Sequence, residues 1–210
     1  MENVILKGNT TSPKKVILCL HGLGDNGQNM SDMINKNHLS KYSDLLFVFP
    51  TAPLRKMKNL NNEICTSWYG KKDSEDVNEY DLKDSVFKVN QIIQWIMDEY
   101  HIDYSQLSLL GFSQGGVVAS TILLKLSFKI NNCFLISTFL KESCESNVTA
   151  NNQTSVFLFH GQNDDVVNIN RGFLLRNYLT ELGYPVFWNQ SDKKHEIKEV
   201  EIEFMLNKLK

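Results

Sequence analysis

Apolar positions along this chain alternate between two rhythms. Short unbroken runs occur at 14–20 (KKVILCL), 45–49 (LLFVF), 106–112 (QLSLLGF), 133–137 (CFLIS), 155–160 (SVFLFH) and 184–190 (YPVFWNQ). They are too short for helices and rich in branched and aromatic residues, so each predicts a strand. Between them, Leu82, Val86, Val89, Ile93, Ile96, Met97 and Tyr100 mostly step by three or four, which predicts an amphipathic helix over 81–100. The stretches 115–126 (GGVVASTILLKL), 169–182 (INRGFLLRNYLTEL, stopped by Gly183) and 196–209 (EIKEVEIEFMLNKL) read as further helices. Strands that are apolar throughout, alternating with helices, predict a mostly parallel α/β sheet with helices on both faces. The segment 53–80 has little periodicity and is expected to be a short irregular, lid-like stretch.

Length and charge narrow the picture. The 210 residues suffice for one α/β domain spanning 1–210 and are too few for two. A net charge of −2 gives no reason to expect nucleic acid as a partner. No apolar run approaches the roughly 20 residues of a transmembrane segment. The leading MENVILKGNTTSPKK has neither the basic region nor the apolar stretch of a signal peptide. Cys19, Cys65, Cys133 and Cys144 fall at no metal-ligand spacing, and Cys19 and Cys133 sit in strand runs, where a buried thiol is expected. A reducing, cytoplasmic location fits best, as a monomer or homodimer.

One punctuated stretch carries the chemistry. In LLGFSQGGVV (109–118) a predicted strand ends at Gly111-Phe112-Ser113-Gln114-Gly115 and a helix follows. This is the setting of a G-x-S-x-G nucleophile elbow, a sharp turn that lifts one hydroxyl above the sheet. A serine hydroxyl needs a base, oriented by a third group. After such an elbow the acid and then the histidine follow in the chain. His21, His38 and His101 precede Ser113, and His160 closes a strand, where a structural role is expected. That leaves His195, in the loop after the last strand. HGQNDDVVN offers Asp164 and Asp165 as the acid, and the residues alone do not separate them. An oxyanion hole would take the N–H of Gln114, the residue after the nucleophile, and a second N–H from an early glycine-rich loop. LHGLGDNG (20–27) supplies that loop, with Leu23 as the donor.

Together LHGLGDNG, FPTAP (49–53), SWYG (67–70), GFSQGG, HGQNDDVV and the late HE at His195 run along nearly the whole chain. In this order they resemble the acyl-protein thioesterase, lysophospholipase and carboxylesterase family of α/β-hydrolases. The resemblance implies the α/β-hydrolase fold. It assigns Ser113, Asp164 and His195 as the triad, with Leu23 and Gln114 as oxyanion donors, and it places Asp165 where the family usually has proline. Two departures stand out: Gly70 follows Trp68 and Tyr69 where the family commonly has an acidic residue, and Lys193 and Lys194 precede His195 where it often has glycines.

The activity this implies is hydrolysis of carboxylic esters or thioesters through an acyl-enzyme, with no cofactor and no metal. The implied substrates are S-acylated proteins or lysophospholipids; alternatives are a short-chain carboxylesterase of broad specificity or a non-catalytic ligand-binding α/β-hydrolase. Ile64, Trp68 and Tyr69, with Leu54, Met57 and Leu60, are expected either to line an apolar groove for the acyl chain or to pack on the core as a lid. LRKMK (54–58) interleaves apolar residues with Arg55, Lys56 and Lys58, a basic rim suited to transient contact with an anionic membrane surface.

Overall fold

A computed structural model describes residues 3–57, 60–70, 77–141 and 152–209. Lys58 and Cys144 lie outside them, as does 71–76 of the segment expected to be irregular. The elements run β1 (Val4–Gly8), β2 (Lys15–Leu20), α1 (Gly27–Ser31), α2 (Lys36–Lys41), β3 (Leu45–Pro50), β4 (Leu54–Met57), β5 (Glu63–Thr66), α3 (Glu79–Tyr100), β6 (Leu107–Phe112) and α4 (Gln114–Lys125). They continue with β7 (Asn132–Ile136), β8 (Ser155–Gly161), α5 (Ile169–Glu181), β9 (Val186–Ser191) and α6 (Glu199–Lys208).

One seven-stranded sheet has the order β1-β3-β2-β6-β7-β8-β9. Every neighbouring pair is parallel except β1 with β3. This is the α/β-hydrolase arrangement of a mostly parallel sheet between helices. The period of two along each strand sorts its side chains into two cores. Val16, Leu18, Leu20, Val48, Leu107 and Leu109 face α3, α4 and α5, meeting Val89, Ile93, Val118, Ile122 and Leu175. Ile17, Cys19, Phe47, Phe49, Phe134 and Phe157 face the other way, onto Met30 of α1 and Ile202, Met205 and Leu206 of α6. That second core is the aromatic one, with Phe134 stacked on Phe157 and Phe204 set edge-on to it. Cys19 and Cys133 are buried as expected, and burial alone pushes both thiols well above their usual pKa.

From β2 the chain goes to β3 on one side and, after β4, β5 and α3, to β6 on the other, so the order reverses between β2 and β6. Loops at the C-terminal ends of strands flanking such a reversal part from each other and leave a crevice. The loop after Leu20 and the turn after Phe112 flank this one.

Part of the stretch 53–80, expected to be irregular, is a hairpin. β4 and β5 pair antiparallel, Leu54 opposite Thr66 and Lys56 opposite Ile64. Alternation puts Leu54, Lys56 and Ile64 on the outer face and Arg55 and Met57 on the inner. Met57 is buried. Arg55 donates to Asp81 (2.8 Å), Asp84 (2.7 Å) and the carbonyl of Ser67 (3.1 Å). Arg55 is therefore spent on α3 and does not belong to a basic rim. The antiparallel edge strand β1 and the two short helices α1 and α2 carry too little periodicity to be read from the chain.

Candidate active site

The turn between β6 and α4 is built around a strained residue. Ser113 has φ 51° and ψ −117°, outside the comfortable regions for a side-chain-bearing residue. Such a conformation costs about 1–3 kcal/mol and persists only where the surroundings impose it. Here the Ser113 N–H donates to Ile136 O (2.9 Å), and Thr138 Oγ1 donates to Ser113 O (2.8 Å). Close approach explains the flanking glycines. A Cβ on Gly111 would meet the backbone of Gly116, and one on Gly115 would strike the carbonyl oxygens of Leu20 and His21.

Three side chains distant in the chain meet at this turn. Ser113 Oγ lies 2.9 Å from His195 Nε2, and His195 Nδ1 lies 2.9 and 3.0 Å from the two oxygens of Asp164. A carboxylate only accepts, so Nδ1 carries the ring proton and Nε2 is left to accept from the serine. Asp164 is aimed by its own loop: Oδ1 accepts the N–H groups of Val166 (3.0 Å) and Val167 (2.8 Å). Burial opposes its charge, but the Val167 N–H and His195 outweigh that and hold the carboxyl below its usual pKa. Asp165 is exposed. The loops bearing acid and histidine are strapped together, Asn163 donating to Lys193 O (3.2 Å) and to Asp192 O (2.6 Å). Phe112 lies against the His195 ring, centroids 4.9 Å apart. His160 is buried behind Asp164, where its Nε2–H donates to Val167 O at 2.8 Å, and burial lowers its pKa.

The early loop supplies backbone donors. The N–H groups of Leu23 and Gln114 reach no acceptor among the described residues. His21 explains how the Leu23 peptide is held. Its Nδ1–H donates to Gly22 O (2.6 Å), while Nε2 accepts the N–H of Ala52 (3.0 Å). In a trans peptide the carbonyl and the N–H point opposite ways, so fixing Gly22 O turns the Leu23 N–H away from His21. Burial lowers the His21 pKa and keeps the ring neutral, as this pairing requires. Gly24 N–H donates to Thr66 O (2.9 Å), which joins the loop to the hairpin.

Trp68 and Tyr69 are buried, at 2% and 4% exposure, whereas Ile64 is 69% exposed. Gln114 Oε1 accepts the Trp68 N–H (2.8 Å), its Nε2 donates to Tyr69 O (2.6 Å), and Trp68 Nε1 donates to His21 O (2.8 Å). The aromatic pair thus clamps the elbow to the early loop. A cavity of about 830 Å³, lined by Pro53, Leu54, Thr66, Trp68, Val89 and Ile92 among others, includes none of Ser113, Asp164 and His195. Gly70 N–H donates to Asp81 Oδ2 (3.0 Å), so a carboxylate from α3 stands beside the position after the aromatic pair. Sequence reasoning missed His21 and Thr138. His21 lies within the LHG run, but its work is done on backbone groups that leave no spacing pattern.

A family model described as phospholipase/carboxylesterase matches residues 2–210. The chain belongs to the phospholipase/carboxylesterase family. Members of this family are ester hydrolases of the EC 3.1 class, and this chain is a serine hydrolase of esters or thioesters. Acyl-protein thioesterase 1 of Debaryomyces hansenii is 27% identical over 184 residues, covering 81% of this chain and 78% of that protein. Acyl-protein thioesterase 1 of Kluyveromyces lactis is 30% identical over 168 residues, covering 76% and 73%. The crystal structure of Arabidopsis thaliana SOBER1 superposes with a TM-score of 0.83 at 21% identity, over 93% of this chain and 97% of that one, a likeness of fold.

Proposed function

We propose that the chain, acting as one α/β-hydrolase domain, cleaves acyl thioesters or esters, with S-acylated proteins or lysophospholipids as substrates, through an acyl-enzyme on Ser113. The observation that carries this is the hydrogen-bonded line from Ser113 Oγ through His195 to Asp164, every link between 2.9 and 3.0 Å. Ser113 Oγ attacks the acyl carbonyl while its proton passes to His195 Nε2. Asp164 holds the imidazole tautomer and stabilises the imidazolium. The N–H groups of Leu23 and Gln114 receive the oxyanion, each worth roughly 10²–10³ in rate. The tetrahedral intermediate collapses as the imidazolium protonates the departing thiol or alcohol. Water, deprotonated by the same imidazole, then attacks the acyl-Ser113 ester and releases the carboxylic acid.

The acyl-protein thioesterase relatives favour a thioester-linked acyl chain on a protein as the substrate. The exposed outer face of the hairpin, Leu54 and Ile64, supplies apolar surface for such a chain next to the early loop. Labelling with a fluorophosphonate probe, and turnover of p-nitrophenyl esters and a palmitoylated peptide, test the reading. Ser113→Ala is expected to lose the label and to lower kcat by about 10⁶-fold, with the fold intact. Wild-type turnover by that variant would end the proposal.

A further inference from the structure

The loop that carries His195 also holds a buried charge with no part in the chemistry just described. The Lys193 side chain is 0% exposed, and its Nζ lies 2.7 and 2.9 Å from the two carboxylate oxygens of Glu201 on α6. A third bond runs from Nζ to the carbonyl of Glu196, at 2.8 Å. This bond spans His195: it joins the side chain of residue 193 to the backbone of residue 196 and closes a ring around the histidine. The Glu196 N–H, donating to Lys194 O at 3.1 Å, tightens the same turn. Glu201 is itself fixed, since its carboxylate accepts the Lys198 N–H at 2.9 Å. On the opposite side, Lys193 O accepts from Asn163 and packs where a Cβ on Gly161 would fall. Burial pushes the ammonium below the usual lysine pKa, and Glu201 works against that. Burying an ion pair is costly, and apolar residues of similar volume often stabilise a fold as well or better. Stability alone therefore does not account for the arrangement.

We infer that Lys193 is a positioning residue for His195, its ammonium clamping the turn 193–196 between α6 and the Asp164 loop so that Nε2 stays within reach of Ser113 Oγ. This rests on the base role proposed for His195. A methionine fills the lysine's space but donates no hydrogen bond, so the ring around the histidine opens and the imidazole is free to shift. Misplacement by about an ångström lowers turnover on the order of 10- to 100-fold.

The test is the double variant Lys193→Met/Glu201→Met, which removes both charges, measured for Tm, for kcat and KM on a p-nitrophenyl ester, and for the rate of fluorophosphonate labelling. The expected result is a Tm at or above wild type, an unchanged KM, and kcat and labelling rate both lowered about 10- to 100-fold. Glu201→Gln strips the ammonium of its counter-charge but keeps an acceptor on α6 and the bond from Lys193 to the Glu196 carbonyl; Tm is expected to fall, and kcat to fall much less than in the double variant. Wild-type kcat in a folded double variant overturns the inference. So does a Glu201→Gln variant as slow as expected for the double variant, a result that does not depend on the double variant folding. His195→Ala separates the two levels: an active His195→Ala enzyme sinks the base assignment itself. An inactive one beside a fully active double variant sinks only the clamp.

Discussion

The Ser113 turn and the β4–β5 hairpin meet at the early loop, yet they are held in opposite ways. At the turn, nearly every polar group is committed: the serine backbone to Ile136 and Thr138, the Asp164 carboxylate to Val166, Val167 and His195, the Gln114 amide to the Ser67–Tyr69 segment. The hairpin is anchored on its inner face by Arg55 and Met57, while Leu54, Lys56 and Ile64 stand in solvent. Chemistry tolerates little misplacement, so its residues are over-determined; the hairpin's outer face has few such constraints and is the region where substrate preference can be altered without touching the reaction.

The contrast breaks most visibly at the acid. Asp164→Asn leaves the shape in place but favours the wrong imidazole tautomer, and kcat is expected to fall about 10⁴-fold with KM little changed. A loss of less than tenfold in steady-state assays would remove Asp164 from the mechanism. Detaching the hairpin is a milder injury. Arg55→Ala leaves Asp81 and Asp84 without their shared partner and is expected to cost about 1.5–3 kcal/mol in urea denaturation, with fluorophosphonate labelling of Ser113 retained. Complete loss of labelling would mean that the hairpin belongs to the rigid part. Milder still, Leu54→Ser/Ile64→Ser is expected to lower kcat/KM about tenfold for long-chain esters and to leave acetyl esters unaffected. Equal effects on both chain lengths would deny the hairpin a part in recognition.

The smallest effect is on pH dependence. His21 and His160 are held neutral, with folded pKa values below 6.5, so the unfolded chain takes up their protons first. Their contribution is complete above about pH 6.5 and declines as pH falls below it. Asp164, depressed from 3.8, contributes fully above that value and loses its share as pH falls toward the folded pKa. On the acid side the urea midpoint should therefore begin to fall as pH drops below about 6.5, and fall further below about 3.8. A midpoint unchanged down to pH 5 would contradict the neutral, buried state of both rings.

The strands were legible because a sheet covered on both faces demands uninterrupted apolar runs, and Ser113 because its turn demands glycines at fixed offsets. Asp164 and Asp165 were not separable from the residues alone. The difference is one of direction: the Val166 and Val167 N–H groups turn the first carboxylate inward. For Trp68 and Tyr69 the residues left groove wall and core packing open, because their place depends on backbone bonds to Gln114, a partner far along the chain. Lys193 shows the same limit, because a lysine in a loop reads as solvated until the helix carrying Glu201 is folded against it. β1 left no signal because an edge strand needs apolar contact on less of its surface.

Ser113 occupies a backbone conformation that glycine would adopt without penalty. The reactive atom therefore sits where the polypeptide is least at ease, and an inactive chain with glycine at 113 would be relieved of that tension of about 1–3 kcal/mol. Screening variants of this enzyme for yield or heat resistance alone would thus favour molecules that have lost the very group they are made to present.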